Sequence, residues 1–206
     1  MKVQYKEMFP EEFKAALANN PLAYLPLGAM EWHGNHNVLG LDSIKANRIC
    51  QLAAEKTGGV VLPALSLGYD LYPDLDHERH PEKSYDTYHI DADTYKKVLE
   101  QYFEDIFSTG FQKLFVLAGH YPNKDIAELA AKKFPDKKIW TMTEAEIVNE
   151  PGDHAGKWET SLMLAMFPDY VDISKKNNDY SGATAEYGKQ ALERIITKIE
   201  ELVRVG

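Results

Sequence analysis

Cysteine is nearly absent: Cys50 stands alone among 206 residues, so no internal disulfide can form. No apolar run approaches the ~20 residues that a membrane-spanning helix needs. Basic clusters are scarce too. The densest, KKFPDKK at 132–138, is short, and 32 acids outweigh 23 bases to leave a formal charge of −9. These absences exclude a disulfide scaffold and a helical membrane protein, and they argue against a nucleic-acid partner, which needs a basic face. The opening MKVQYKEMFPEEFKAAL has acids among its apolar residues and lacks the apolar core of a signal peptide. The expected location is a reducing cytoplasm. Hydrophobic residues at 44% suffice for one sizeable core, so residues 1–206 are expected to form a single domain.

What is present alternates in period. Residues 10–18 predict a short amphipathic helix with Pro10 in its first turn. AYLPLG predicts a buried strand, and Ala46, Ile49, Cys50 and Ala53 then mark one face of a helix that Gly58-Gly59 ends. VVLPALSLG predicts a second buried strand. Residues 69–92, rich in Tyr, His, Asp and Pro, show no sustained period. Tyr95, Val98, Leu99, Tyr102, Phe103, Ile106 and Phe107 form the clearest helical stripe, closed by Gly110. KLFVLAG predicts a third strand, Pro122 to Phe134 a helix, KIWTMT a fourth strand, SLMLAMF another helix and 183–204 the last. Such alternation implies an α/β fold: a central, mostly parallel sheet with helices on both faces and ligands beyond the carboxyl ends of its strands.

Polar residues collect at those ends. GAMEWHGNHNVLGLD, residues 28–42, supplies Glu31, His33, His36 and Asp42 between an apolar strand and a helix. Two carboxylates and an imidazole converging there point to a cation, although Asp42 could equally be the N-cap of the helix that follows. His120 ends the third strand in AGHYPN. A third cluster, GDHAGKWETS at 152–161, brings Asp153, His154 and Glu159.

Taken together, these three segments resemble the creatininase (creatinine amidohydrolase) family, whose members show G-x-x-E-x-H-G-x-H-x-x-x-x-x-D, then G-H-x-x-N, then H-A-G-x-x-E-T-S. The resemblance implies a dinuclear metal-dependent hydrolase, with two zinc or manganese ions. Glu31, Asp42 and His120 would hold one ion, and His33, the bridging Asp42 and Glu159 the other. A metal-bound hydroxide would cleave a C–N bond of a small amide, a cyclic one being the first expectation, with Glu159 and His154 as catalytic residues and His154 donating the proton to the leaving amine. His36 and Asn123 are expected to hold their loops. A homo-oligomer, such as a hexamer, also follows from the resemblance.

Four departures bear on substrate. Creatininase itself resembles G-H-Y-E-N at the second motif, where this chain has Pro122, so the ligand role passes to Glu159. Asn35 and Val38 stand where prolines are frequent, and Leu41 where a threonine is. His77, His80, Tyr85 and His89 replace an H-x-x-F-P-G-T segment, either as a pocket wall or as a solvated loop. The chain is also somewhat short for the family. Because the metal-binding motifs match the family while the presumed substrate wall does not, creatinine is not the expected substrate. The rival readings are a lactonase or other non-amide hydrolase, and an inactive binding or scaffold member.

Overall fold

In a computed structural model, which describes residues 2–69, 88–175 and 182–205, the run LAYLPLG is strand β1 (Leu22–Gly28), buried at every position. Successive side chains on a strand face opposite ways. Leu22 and Tyr24 join one core with Phe115 and Leu117, whereas Ala23, Leu25 and Leu27 join a second core with Leu114 and Val116. A strand apolar on both faces needs cover on both, and parallel sheets provide it.

The cover comes from α1 (Pro10–Asn19), α2 (Leu41–Thr57), α3 (Ala92–Ser108), α4 (Pro122–Ala131), α5 (Glu144–Ile147), α6 (Lys157–Met166) and α7 (Ala185–Val205). The remaining strands are β2 (Val60–Val61), β3 (Leu65–Ser66), β4 (Lys113–Ala118) and β5 (Lys138–Met142). Every pairing is parallel, in the order β2-β1-β4-β5, with β3 also on β1. α2, α5, α6 and α7 lie on one face and α1, α3 and α4 on the other. The expected α/β sheet with helices on both faces is what the chain forms. No helix among the described residues is long and apolar enough to cross a membrane.

Local chemistry sets the element ends. Asp91 caps α3 by accepting from the Thr94 N–H at 2.9 Å, and Tyr95, Leu99, Phe103 and Ile106 are its buried face. Gly58, at φ 77°, closes α2. Three expectations need correction. VVLPALSLG is not one strand: β2 and β3 both pair with β1, but the register slips by one residue between them, and Pro63 in the gap has no N–H for a ladder. α4 stops at Ala131 rather than Phe134, because Pro135 turns its predecessor away from helical geometry. Asp42 does not cap α2: it lies inside the first turn, and Gly40 holds the cap position. Residues 70–87 of the 69–92 segment, with His77, His80 and Tyr85, lie outside the described residues. His89 is exposed and bridges Gly68.

The chain leaves β1 toward β2 and later returns to β1's other side as β4, so the topological switch point lies between the carboxyl ends of β1 and β4. Two glycines let α2 start there. A Cβ on Gly28 would meet the Ser43 N at 2.4 Å, and one on Gly119 the Asp42 carbonyl oxygen at 2.3 Å. Gly119→Ala should therefore push Asp42 out of place and destabilise the protein by about 2 kcal/mol. Chemical denaturation and metal content check this together, and a variant of unchanged stability and metal content would contradict it.

Candidate metal centre

Five side chains meet at the switch point. Glu31 and His33 come from the loop after β1, Asp42 from the first turn of α2, His120 from just past β4, and Glu159 from the first turn of α6. All five are less than a tenth exposed. His120 Nδ1 lies 2.9 Å from Glu31 Oε2 and 3.3 Å from Asp42 Oδ2. His33 Nε2 lies 3.1 Å from Asp42 Oδ1 and 3.7 Å from Glu159 Oε2. Ligand-capable atoms of Glu31, Asp42 and His120 fall within 4.8 Å of one another, and so do those of His33, Asp42 and Glu159. Asp42 belongs to both groups, one oxygen turned to each.

The surroundings leave the correct atoms free for a cation. The Nε2–H of His120 donates to the Tyr69 carbonyl at 2.8 Å, which leaves the Nδ1 lone pair toward the centre. The Nδ1–H of His33 donates to the Glu31 carbonyl at 3.2 Å, which leaves Nε2. With a lone pair on His120 Nδ1, the buried Glu31 Oε2 and Asp42 Oδ2 beside it have no hydrogen-bond donor among the described residues. An orphaned buried carboxylate oxygen is costly unless something positive meets it. Mixed imidazole and carboxylate donors suit zinc or manganese.

In the metal-free chain, protons take the place of that charge. Burial disfavours a charged His33, but Asp42, Glu159 and Glu31 outweigh it and raise the imidazole to about 9. Burial likewise opposes charge on His120, yet Asp42 and Glu31 raise it well above the ordinary range. Burial would raise Asp42, and the two imidazoles reverse this and hold it low. An imidazole whose pKa is raised on folding contributes stability that is complete below its unfolded value, ~6.5, and lost as pH climbs through the folded value. The metal-free protein should thus melt at progressively lower temperature from pH ~6.5 to about 9, with ~3 kcal/mol at stake for His33 alone. A melting temperature that stays level or rises over that window, in chelator-treated protein, would contradict the charge arrangement.

The other residues singled out by sequence fall around this centre. His154 is exposed, donates Nε2–H to the Trp32 carbonyl at 3.0 Å, and lies tilted against His33 with ring centroids 4.4 Å apart. His36 is buried, with Nε2 at 3.1 Å from both the Ala155 carbonyl and Thr160 Oγ1, so it ties the first loop to α6. Asn123 accepts from the Tyr69 N–H at 2.9 Å and donates to the Gly28 and Leu67 carbonyls, which fixes the segment after β3 on which His120 leans. Asp153 accepts from the Gly156, Trp158 and Glu159 N–H groups and so starts α6. Pro122 opens α4 at the rim of a cavity of about 280 Å³ over the five residues.

Sequence reading missed the layer beneath. Lys45 is fully buried one turn after Asp42, with Nζ 2.8 Å from Glu144 Oε1 and in direct contact with Glu159 Oε1. Glu144 Oε1 also accepts from the Tyr121 hydroxyl at 2.8 Å and Trp158 Nε1 at 3.3 Å. Burial works against charge on Lys45, but Glu144 and Glu159 overcome it and hold the lysine charged. One signal was available: Lys45 falls on the apolar face of its helix, where a solvated lysine has no place.

Comparison with known proteins places the chain among creatininases. The family model described as "Creatininase: Creatinine amidohydrolase" matches residues 6–201. The chain is 27% identical over 194 residues to creatinine amidohydrolase of Pseudomonas putida, covering 82% of this chain and 74% of that protein. It is 25% identical over 187 residues to 3-dehydro-scyllo-inosose hydrolase of Thermotoga maritima, covering 82% of this chain and 58% of that one. A solved structure named "Creatininase Mn" superposes with a TM-score of 0.84 at 23% identity, over 99% of this chain and 98% of the other, a likeness of fold.

Proposed function

The chain belongs to the creatininase family, and from that premise we propose that it is a dinuclear metal-dependent hydrolase that cleaves a C–N bond of a small, cyclic amide. The observation that carries the reading is the position of Asp42, buried between two donor groups and turned to both. Glu31, Asp42 and His120 would hold one zinc or manganese ion, and His33, Asp42 and Glu159 the other. Divalent ions so held supply Lewis acidity, which polarises a carbonyl and acidifies water.

The chain's own residues supply the rest. Asp42, fixed by the start of α2, sets the separation of the two positions. His154 keeps its Nε2 proton on the Trp32 carbonyl, so Nδ1 is the atom that carries a proton to the departing nitrogen. Tyr121 keeps its hydroxyl proton, since burial and the nearby Glu144 and Glu159 all raise its pKa. No lysine or arginine lines the cavity among the described residues. A cavity of about 280 Å³ suits a compact substrate such as a small ring.

Protein loaded with manganese or zinc and offered a panel of small cyclic amides should open at least one, and chelator should abolish the reaction. Creatinine itself is excluded from the proposal, because the segment after Gly68 departs from the family's pattern, and robust creatinine turnover would defeat that exclusion. Bound metal with no turnover across the panel would favour an inactive binding member. A non-amide hydrolase is the second reading, supported by the likeness to an inosose hydrolase, and lactones and cyclic ketones in the same panel would reveal it. Homo-oligomeric assembly is part of the proposal, and a monodisperse monomer in sedimentation at micromolar concentration would remove it.

A further inference from the structure

Glu159 is held by its two oxygens in two different ways. Oε2 accepts from the Ala155 N–H at 2.9 Å and faces His33. Ala155 reaches this position only in the left-handed region, at φ 54°. Oε1 points away from the centre to the Lys45 ammonium. Lys45 is itself anchored from below by Glu144, whose carboxylate is fully buried and steadied by Tyr121 and Trp158. A buried carboxylate beside a cation can offer one oxygen or both. Here Oε1 is committed to Lys45, and Oε2 is the oxygen that faces the centre.

We propose that Lys45, anchored by Glu144, is a positioning residue that holds Glu159 as a one-oxygen ligand of the second metal position. The idea rests on the two-metal reading above, and it explains why the ion pair is buried against a metal site. Lys45 also separates two carboxylates, Glu144 and Glu159, that would otherwise meet with no cation between them. Removing the lysine frees Glu159 Oε1 and lets the two acids repel or share a proton. The first position, built from Glu31, Asp42 and His120, does not include Glu159, and the ion pairs of Lys45 are to Glu144 and Glu159 rather than to any of its members. The consequence is therefore selective. The second position changes in affinity and coordination while the first does not.

Cobalt(II) titration of the metal-free full chain, followed by visible absorption, tests this without any substrate. Wild-type protein should take up two ions in distinguishable steps. In Lys45→Met the second ion should bind at least ~10-fold more weakly, the usual effect of losing a partner that orients a ligand. Its absorption band should also shift, and the first step should be unchanged. Glu144→Gln keeps the shape of the anchor, removes its charge and should change the second step in the same direction, so a poorly folded Lys45→Met does not decide the matter alone. Two ions in wild type with an unaltered second step in both variants would overturn the positioning role and leave the two-metal reading standing. A parallel loss of both steps would mean that Lys45 merely supports the fold, and it too overturns the proposal. Fewer than two ions in wild type would overturn both readings.

Discussion

Replacing Asp42 with alanine should strip both metal ions from the chain. Each donor group then keeps only two protein atoms, Glu31 with His120 and His33 with Glu159. The substitution also removes a negative charge from a buried site in which His33 and His120 both lean on that carboxylate. Wild-type protein prepared without chelator should carry close to two ions per chain, Glu31→Gln close to one, and Asp42→Ala close to none. Hydrolysis should fall at least ~10³-fold in Asp42→Ala, since several kcal/mol of charge stabilisation go with the metals. Full metal occupancy in that variant, by elemental analysis, would contradict a shared ligand.

His154→Ala should behave in the opposite manner: both metals stay and the rate falls. His154 stands exposed at the mouth of the site, against the His33 ring and held by the Trp32 carbonyl, while its ring carries none of the contacts that join Asp42 to the other ligands. Losing a positioned acid typically lowers kcat by ~10²-fold or more, with KM little altered. An unchanged kcat would take His154 out of the mechanism. Loss of a metal ion would instead recast it as a ligand, a role its proximity to Glu31 and His33 permits geometrically.

The residues at the centre were legible because each sits beside an element end that periodicity locates. Glu31 and His33 follow a run of seven buried strand residues, and His120 follows the strand that pairs with it. Asp42 was ambiguous in sequence, since an acid at a helix start can serve as its cap; in the fold it lies inside the first turn, its carbonyl closely approached by Gly119. The break between β2 and β3 depends on how one segment registers against β1, which local pattern does not encode. Glu144 was invisible for a similar reason. It lies on a four-residue helix with no stripe to read, and only the fold brings it against Lys45. Pro122 shows the converse, a single side chain whose inability to bind a cation was plain from sequence and redirected the ligand role to Glu159.

The central claim, that Asp42 lies between two metal ions, is tested most directly by anomalous diffraction from crystals of the full chain grown with manganese. The account predicts two peaks per chain, ~3.5–4 Å apart, on either side of the Asp42 carboxylate, one beside Glu31 and His120 and the other beside His33 and Glu159. A single peak, or a second peak out of reach of Asp42, would contradict it.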